Sequence, residues 1–329
     1  MTTRVGIIGT GFMGGVHAGA WQATDAELVS ILEHTTASRV GAMGQYGAEI
    51  FTDLDAFLDS VDIVDICVPT HLHSHFALAA AEAGKPTICE KPLTLTSAEG
   101  REVIEAFERR RLLLQVGQVL RFSPEYSAAR DAVLSGAIGS LAVVRLSRLS
   151  FLPKRGRDSW FRDDKKSGGI AFDLMIHDLD YARWVAGEVH SVYTRTAVGG
   201  NGHAIAVLQH RNGVISHVEA SWAQPSPTFR TAGELAGATG TLTFSSDASS
   251  PVVARLHEER VVTTGGGGNA FAANPFEIQL QHFLDILRDG ATPILTAHDG
   301  LAAVRLAEAA RESARLRQPV VLEEEGELS

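Results

Sequence analysis

The sequence predicts an α/β protein of two domains. Residues 1–120 are expected to form a doubly wound parallel sheet, and residues 121–329 an α+β domain with a large, mostly antiparallel sheet. Three observations support this division. Short apolar runs alternate with helical patterns over residues 4–117, closely spaced strand patterns follow, and 329 residues suffice for two hydrophobic cores.

The first domain alternates strand and helix patterns. Apolar runs predict strands at residues 4–9, 27–33, 49–51 (the weakest), 62–68, 86–89 and 112–117. Helical periodicity covers residues 14–23, 37–46, 72–83 and 97–110. Because such alternation places helices on both faces of a parallel sheet, the first domain should be doubly wound.

The second domain combines helices with many strands. Helices are predicted at residues 124–134 and from the Gly168-Gly169 pair to residue 185. Strands are predicted at residues 141–151, 189–198, 203–211, 214–222, 228–236, 241–244, 252–256 and 260–264. Asn212-Gly213 stands between two of these strands and is a strong hairpin signal.

Composition excludes several classes of partner. The formal net charge of -10 argues against a nucleic-acid backbone or an anionic membrane surface. Cys67 and Cys89 lie in short apolar runs, which indicates buried thiols and leaves no cysteine-rich metal site. The sequence has neither a signal-peptide pattern nor an apolar run of the roughly 18 residues that cross a bilayer. A soluble cytoplasmic protein is therefore expected.

A glycine-rich turn, residues 9–14, joins the first predicted strand to the first helix in the pattern G-x-G-x-x-G. Gly9 permits the tight turn, Gly11 lets the backbone approach a pyrophosphate, and Gly14 lets helix and strand pack closely. The N-terminus of the helix adds amide donors and a positive dipole. We therefore expect a dinucleotide to lie against Gly9, Gly11, Phe12, Met13 and Gly14.

Glu33 stands at the end of the second predicted strand. A carboxylate at this point would hold the ribose hydroxyls of adenosine, which favours NAD over NADP. NADP stays open because His34, Thr35, Thr36 or Arg39 could receive a 2′-phosphate. Glu33 and His34 are both expected to contact the cofactor.

A histidine-rich loop follows the fourth strand and should border the cofactor, because ligands bind beyond the carboxyl ends of parallel strands. Thr70 and His73 are the expected contacts. His71, His73 and His75 alternate, which could indicate a shared metal. A helix that begins near residue 72 would point them in different directions, so no metal site is expected.

Lys91 follows the fifth strand in the tripeptide Glu90-Lys91-Pro92. A cation and proton donor at this strand end could polarise a substrate oxygen near the nicotinamide ribose. A solvated lysine at a strand end explains the position equally well. The following proline restricts the backbone and allows a cis peptide bond.

Asp173 and His177 lie four residues apart on the helix that follows Gly168-Gly169. On an α-helix their side chains share one face, so the carboxylate could orient the imidazole as a general acid or base. A purely structural contact is the alternative. In the preceding basic loop, Trp160 could pack against a sugar ring and Lys154 or Arg157 could bind substrate, or the loop could be solvated.

Four motifs occur in order along the chain: the glycine turn with its flanks, Glu90-Lys91-Pro92, Arg121-Phe122-x-Pro124, and the run from Gly168 through Asp173 and His177 to Asp180. Together they resemble the Gfo/Idh/MocA family of oxidoreductases, which includes inositol dehydrogenase and glucose–fructose oxidoreductase. The resemblance covers nearly the whole chain. It implies that residues 275–322 form closing helices and a last strand.

The resemblance also implies an activity: NAD(P)-dependent oxidation of a secondary hydroxyl on a sugar, inositol or related polyol. His177 would be the general base, Asp173 would orient it, and Lys91 would bind the oxygen and relay its proton. Glu90 would contact the nicotinamide ribose. The family's frequent asparagine before Arg-Phe is absent here, and Gln118 is the candidate for the nicotinamide end.

Further expectations follow from the same resemblance. Substrate is expected to contact Lys91, Arg121, Trp160, Asp173 and His177, and the second-domain sheet to form a homodimer or homotetramer. Trp222 suits either such a surface or an ordinary core. Two other functions stay open: redox-neutral sugar chemistry with tightly bound NAD, and a non-catalytic regulatory protein that binds a dinucleotide.

Overall fold

The computed structural model describes residues 2–33, 46–153, 159–197, 202–247, 252–256, 261–264 and 274–323. The chain divides into two compact units. The first unit comprises Met1–Phe122, Lys165–Ser167 and Phe271–Val304, and the second comprises Ser123–Asp164, Gly168–Ala270 and Arg305–Ser329.

The described residues contain the following elements. The strands are β1 (Thr3–Ile8), β2 (Ala26–Leu32), β3 (Glu49–Phe51), β4 (Ile63–Ile66), β5 (Thr87–Cys89), β6 (Leu114–Val116), β7 (Leu141–Leu149), β8 (Val189–Thr196), β9 (His203–His210), β10 (Ile215–Ser221), β11 (Arg230–Gly237), β12 (Gly240–Ser245), β13 (Val252–Leu256), β14 (Val261–Thr264) and β15 (Val320–Val321). The longer helices are α1 (Phe12–Trp21), α2 (Leu54–Ser60), α3 (His73–Glu82), α4 (Ser97–Arg110), α5 (Pro124–Leu134), α6 (Ile176–Ala186), α7 (Pro275–Asp289) and α8 (Ala297–Leu316). Short helical turns occupy Thr70–Leu72, Val119–Phe122, Trp160–Arg162, Asp164–Ser167 and Ala171–Met175.

The first unit contains a six-stranded sheet in the order β3-β2-β1-β4-β5-β6, and every neighbouring pair is parallel. This confirms the predicted doubly wound sheet. The order changes direction at β1, which pairs with both β2 and β4. The carboxyl ends of the strands therefore meet at one edge, where ligands bind in sheets of this kind.

The sequence missed helix α2. Its N-cap is Asp53, whose side chain accepts a hydrogen bond from the Ala56 amide at 2.8 Å, and its Phe57 and Leu58 are buried. Seven residues give too short a pattern for a firm helix prediction. Most of the predicted helix at residues 37–46 lies outside the described residues.

Helix α7 belongs to the first unit although it comes late in the chain. Its Leu280, Phe283 and Leu284 are fully buried in one core cluster with Ile7 and Trp21. Sequence order had placed residues 275–304 with the second domain. Burial of this apolar face against the parallel sheet explains the difference.

The second unit contains a nine-stranded sheet in the order β14-β13-β12-β11-β7-β10-β9-β8-β15. Neighbouring strands are antiparallel except β7 and β10, which run parallel, so the predicted mostly antiparallel sheet is confirmed. The predicted hairpin joins β9 and β10, and Gly213 has φ +91 in its turn.

The helix after Gly168-Gly169 differs from the prediction in its first turn. Both glycines have positive φ, and a Cβ on Gly168 would lie 2.5 Å from the Phe172 side chain. The chain then forms a π-helical turn, Ala171–Met175, before α6 begins. Asp173 therefore lies on a π turn and His177 on an α-helix, an arrangement that is frequent at functional sites.

In the part of the chain that the structure describes, no helix is both long enough and apolar enough to span a bilayer.

Candidate active site

The glycine turn forms an open cradle between β1 and α1. Gly9 has φ +105, and a Cβ there would lie 2.8 Å from the Cys67 carbonyl oxygen. A Cβ on Gly14 would collide with the Gly9 carbonyl oxygen. Around Gly11, by contrast, no described residue other than its two chain neighbours has an atom within 4 Å of where a Cβ would stand. This space above a helix N-terminus fits a pyrophosphate.

The other residues of the turn divide between the core and the surface. Met13 packs against the core cluster, and Phe12 is 75% exposed. The Thr10 hydroxyl is buried and has no hydrogen-bond partner among the described residues. A buried hydroxyl of this kind requires a partner, and a bound phosphate would supply one.

The adenosine end of the predicted cofactor site is only partly described. Glu33 follows β2, is 8% exposed, and donates its backbone N–H to the Phe51 carbonyl oxygen. His34, Thr35, Thr36 and Arg39 lie outside the described residues.

Behind the glycine turn lies a buried cluster that no motif of the sequence predicted. The Nδ1 atom of His17, on α1, lies 2.9 and 3.1 Å from the two carboxylate oxygens of Asp65, on β4. Its Nε2 atom lies 3.1 Å from Oε1 of Glu90. The Trp21 indole donates to Asp65 at 2.7 Å. Both imidazole nitrogens thus face carboxylates.

Two opposing effects set the pKa of His17. Burial alone lowers it, but the negative charge of Asp65 and the hydrogen bonds of the cluster outweigh burial, so the pKa of His17 lies well above its ordinary value. The ring is therefore an imidazolium at neutral pH, and it donates from both nitrogens.

Glu90 and Lys91 stand directly after β5, at the carboxyl edge of the parallel sheet. Glu90 is buried, with 4% of the residue exposed, and its Oε2 accepts the Lys91 backbone N–H at 3.1 Å. Lys91 is partly buried, and its peptide bond to Pro92 is cis. Both residues therefore lie on the edge where the cofactor cradle opens.

His73 ties two loops of this edge together. One ring nitrogen lies 2.7 Å from the Pro92 carbonyl oxygen and the other 3.0 Å from the Val68 carbonyl oxygen. Burial, which outweighs these bonds, lowers the pKa of His73. The structure thus shows His73 holding the loop after Lys91, while its predicted contact with the cofactor stays a prediction. Thr70 is buried in the neighbouring turn.

Two predicted residues follow β6. Gln118 is 1% exposed, and neither polar atom of its amide has a partner among the described residues. Such an amide suits a ligand with its own donor and acceptor, as the nicotinamide carboxamide has. The Arg121 guanidinium is buried, 3.3 Å from Asp299 and 3.1 Å from the Ile294 carbonyl oxygen. Its predicted contact with substrate stays a prediction.

Among the described residues, a group of potential metal ligands lies outside the histidine-rich loop, where no metal was expected. Three donor atoms come within 4.8 Å of one another at His17, Asp65 and Cys67. The Cys67 thiol lies 3.4 Å from Asp65, and burial raises its pKa. His17, Trp21 and Cys67 all hydrogen-bond to the Asp65 carboxylate, so these contacts describe a hydrogen-bond network and not a metal site.

In the second unit, Asp173 and His177 are partly exposed. The residues around them, including Phe172, Leu174 and Ile176, are buried. Among residues 171–180, only these two side chains are thus partly accessible, and the others are buried. Trp160 lies in a short turn with its ring 5.8 Å from that of Phe161, and Lys154 and Arg157 lie outside the described residues.

A second buried ionic cluster anchors α6 next to His177. Arg148, on β7, donates to both carboxylate oxygens of Asp178, at 2.7 and 3.0 Å, and to the Tyr126 hydroxyl at 3.2 Å. Burial raises the pKa of Tyr126 to about 12. The charge of Asp178 outweighs burial and raises the pKa of Arg148, so the guanidinium stays charged at every physiological pH.

Comparison with protein families decides the identity. The model of the oxidoreductase family with an NAD-binding Rossmann fold matches residues 3–118, and that of the GFO/IDH/MocA C-terminal domain matches residues 126–243. The chain belongs to the GFO/IDH/MocA family. It is an oxidoreductase, and its parallel sheet is an NAD-binding Rossmann domain, as the sequence predicted.

Individual relatives extend over nearly the whole chain. D-apiose dehydrogenase of Paraburkholderia graminis is 34% identical over 337 residues, which cover 96% of this chain and 88% of that protein. Inositol 2-dehydrogenase of Rhizobium meliloti is 30% identical over 341 residues, which cover 97% and 99%. A structure of levoglucosan dehydrogenase with NADH and L-sorbose has the same fold, with a TM-score of 0.87, 23% identity and coverage of 98% and 99%.

Proposed function

We propose that this protein is an NAD-dependent dehydrogenase that oxidises a secondary hydroxyl of a sugar, inositol or related polyol. The observation that carries the proposal is the exposure of Asp173 and His177 in a segment whose other side chains are buried for packing. An accessible carboxylate and imidazole four residues apart suit proton abstraction. The relatives named D-apiose dehydrogenase and inositol 2-dehydrogenase support the substrate class.

Three residues divide the chemistry. His177 takes the proton of the substrate hydroxyl, and Asp173 orients and tunes its imidazole. Lys91 binds the same oxygen and helps to relay its proton. When bound, NAD supplies the hydride acceptor, nicotinamide C4, so that the hydroxyl carbon becomes a carbonyl. This division rests on the family motifs and on the position of Lys91 at the sheet edge.

The cofactor is proposed to lie along the carboxyl edge of the first unit. Gly9, Gly11, Phe12, Met13 and Gly14 would hold its pyrophosphate and the atoms nearby. Glu33 would hold the adenosine ribose, which favours NAD. His34 would also contact the cofactor, and NADP is the alternative because His34 could receive a 2′-phosphate. At the nicotinamide end the proposed contacts are Thr70, His73, Glu90, Lys91 and Gln118.

Two further residues are proposed for the substrate. Trp160 would pack its large apolar ring against a sugar ring. Arg121, held by Asp299 and the Ile294 carbonyl, would present a fixed cation. Lys91, Asp173 and His177 complete the proposed set.

A homo-oligomer is also proposed, with the sheet of the second unit as its interface. Ile205 and Val207 on β9 and Ile215 on β10 are 44, 39 and 48% exposed, which is unusual for large apolar side chains on an open face. Light scattering that gives a monomeric mass would rule this out. We also propose a cytoplasmic location, because the two buried, unbridged thiols suit a reducing compartment.

The test is a screen of sugars, inositols and sugar acids with NAD and with NADP, in which the absorbance of the reduced cofactor is followed. We expect one compound class to produce free NADH in proportion to the substrate consumed. Substrate conversion without net NADH would favour redox-neutral chemistry with tightly held NAD. Cofactor binding without turnover of any compound would favour a regulatory protein.

A further inference from the structure

His17 lies at a position where a histidine needs a specific reason. It stands on the buried face of α1, the helix whose N-terminus forms the cofactor cradle, and it is fully buried. Most of its neighbours on this helix are small or apolar. A buried charge in such a place is costly unless it is paired on every side.

The pairing at His17 is complete and directional. Nδ1 faces Asp65, which is also bonded to the Trp21 indole, so this half of the cluster is closed within the core. Nε2 faces Oε1 of Glu90 at 3.1 Å. The imidazolium therefore links a carboxylate inside the sheet with a carboxylate at its carboxyl edge, where the cofactor cradle opens.

The Glu90 carboxylate is held from three directions. Its Oε1 accepts from His17, and its Oε2 accepts the Lys91 amide at 3.1 Å. The β6 side is closed by Gly117, where even a Cβ would lie 2.7 Å from Oε1. A side chain larger than glycine would displace the carboxylate. Every neighbour thus favours one orientation of Glu90.

We propose that His17 is a positioning residue that fixes the Glu90 carboxylate in the orientation in which it accepts hydrogen bonds from the nicotinamide ribose of NAD. The proposal rests on the ribose contact proposed for Glu90, and it adds the device that prepares this contact. A preorganised acceptor saves the side-chain ordering that binding would otherwise cost. Each carboxylate oxygen keeps further lone pairs for ribose hydroxyls.

The experiment compares two substitutions at His17 by the Kd for NADH, which needs no substrate. His17→Gln retains an amide nitrogen near the Nε2 position and can still donate to Glu90. His17→Asn retains an amide nitrogen near the Nδ1 position, so it can still donate to Asp65 but loses the hydrogen bond to Glu90. We expect the Kd to rise about tenfold in His17→Asn and less than about threefold in His17→Gln, because one charge-assisted hydrogen bond is at stake.

The matched control is His210→Asn in the second unit. His210 is also a buried histidine with both ring nitrogens bonded, to the Gly187 carbonyl oxygen and the Ser216 hydroxyl. The His210→Asn substitution should lower Tm and leave the Kd for NADH unchanged. The proposal is overturned if both His17 variants bind NADH as the wild type does, or if the Kd follows Tm in all three variants.

A double variant keeps the test decisive if the single His17 variants fail to fold. Glu90→Gln removes one of the two buried negative charges that loss of His17 would leave. We expect Glu90→Gln and His17→Asn/Glu90→Gln to bind NADH equally, since His17 acts through Glu90. A further tenfold loss in the double variant, or wild-type binding by Glu90→Gln, contradicts the proposal. A protein that binds NADH but oxidises no sugar fails the proposed function and leaves this result standing.

Discussion

The two units each contain a buried ionic cluster beside a proposed active-site residue, and the clusters differ in their cation. In the first unit the imidazolium of His17 lies between Asp65 and Glu90, next to Lys91. In the second, the guanidinium of Arg148 forms two hydrogen bonds with Asp178, next to His177. An imidazole can lose its charge near physiological pH, and a guanidinium cannot.

The two clusters also differ in which parts of the protein they connect, and this indicates a different role for each. Arg148 and Asp178 pair within the core and Arg148 also donates to Tyr126, so this cluster joins strand β7 to helices α6 and α5. The first cluster reaches the edge of the sheet, because one of its two carboxylates belongs to Glu90. The Arg148 cluster is thus an internal support, and the His17 cluster connects the core with the proposed cofactor site.

The largest expected effect on stability comes from breaking the Arg148–Asp178 pair. Arg148→Met leaves Asp178 buried and unpaired, and we expect the free energy of unfolding to fall by about 3–5 kcal/mol in urea denaturation. The control lies on the same strand: Arg145 forms an exposed pair with Glu234, and Arg145→Met should cost only about 0–1 kcal/mol. Arg148→Met combined with Asp178→Leu should recover most of the loss. Equal losses at positions 145 and 148 would refute this account of the cluster.

A smaller effect, in pH dependence, separates the two clusters. In the folded protein the pKa of His17 is raised above its ordinary value of about 6.5. The ionic contacts of His17 therefore stabilise the fold fully at pH values below about 6.5. This stabilisation declines as pH rises from there through the folded pKa, by at most about 1.4 kcal/mol per pH unit for one proton. We expect the difference in unfolding free energy between wild type and His17→Asn to shrink with rising pH. The corresponding difference for Arg148→Met should stay constant, and a constant difference for both variants would contradict the assignment.

Much of the fold was predictable because it is encoded in local patterns. The predicted strands of the described residues agree with the structure to within two residues at each end. The glycine turn and the hairpin at Asn212-Gly213 were also predictable, since each needs particular residues at fixed spacing. Helix α2 was too short to give a pattern, and a π turn of five residues at Asp173 is too short to alter the helical periodicity around it.

The ionic clusters could not be predicted for a different reason. His17 meets partners 48 and 73 residues away, and Arg148 meets one 30 residues away. A local sequence pattern cannot predict contacts between residues so far apart in the chain, because these contacts depend on the order of strands in each sheet. One sequence signal could have indicated a role for His17. It is a histidine among small or apolar residues, in a helix that begins at a glycine turn.

The measurement that tests the central claim most directly is turnover of His177→Asn and Lys91→Met with the best substrate of the screen, alongside the Kd for NADH. We predict that kcat/KM falls by about 10²- to 10⁴-fold in each variant. The Kd should change less than about threefold in His177→Asn and at most about tenfold in Lys91→Met, because Lys91 is also a proposed cofactor contact. Lys85→Met, just before strand β5 and at the opposite end from Lys91, should leave both values unchanged. A His177→Asn or Lys91→Met protein that keeps wild-type turnover would contradict the proposed mechanism.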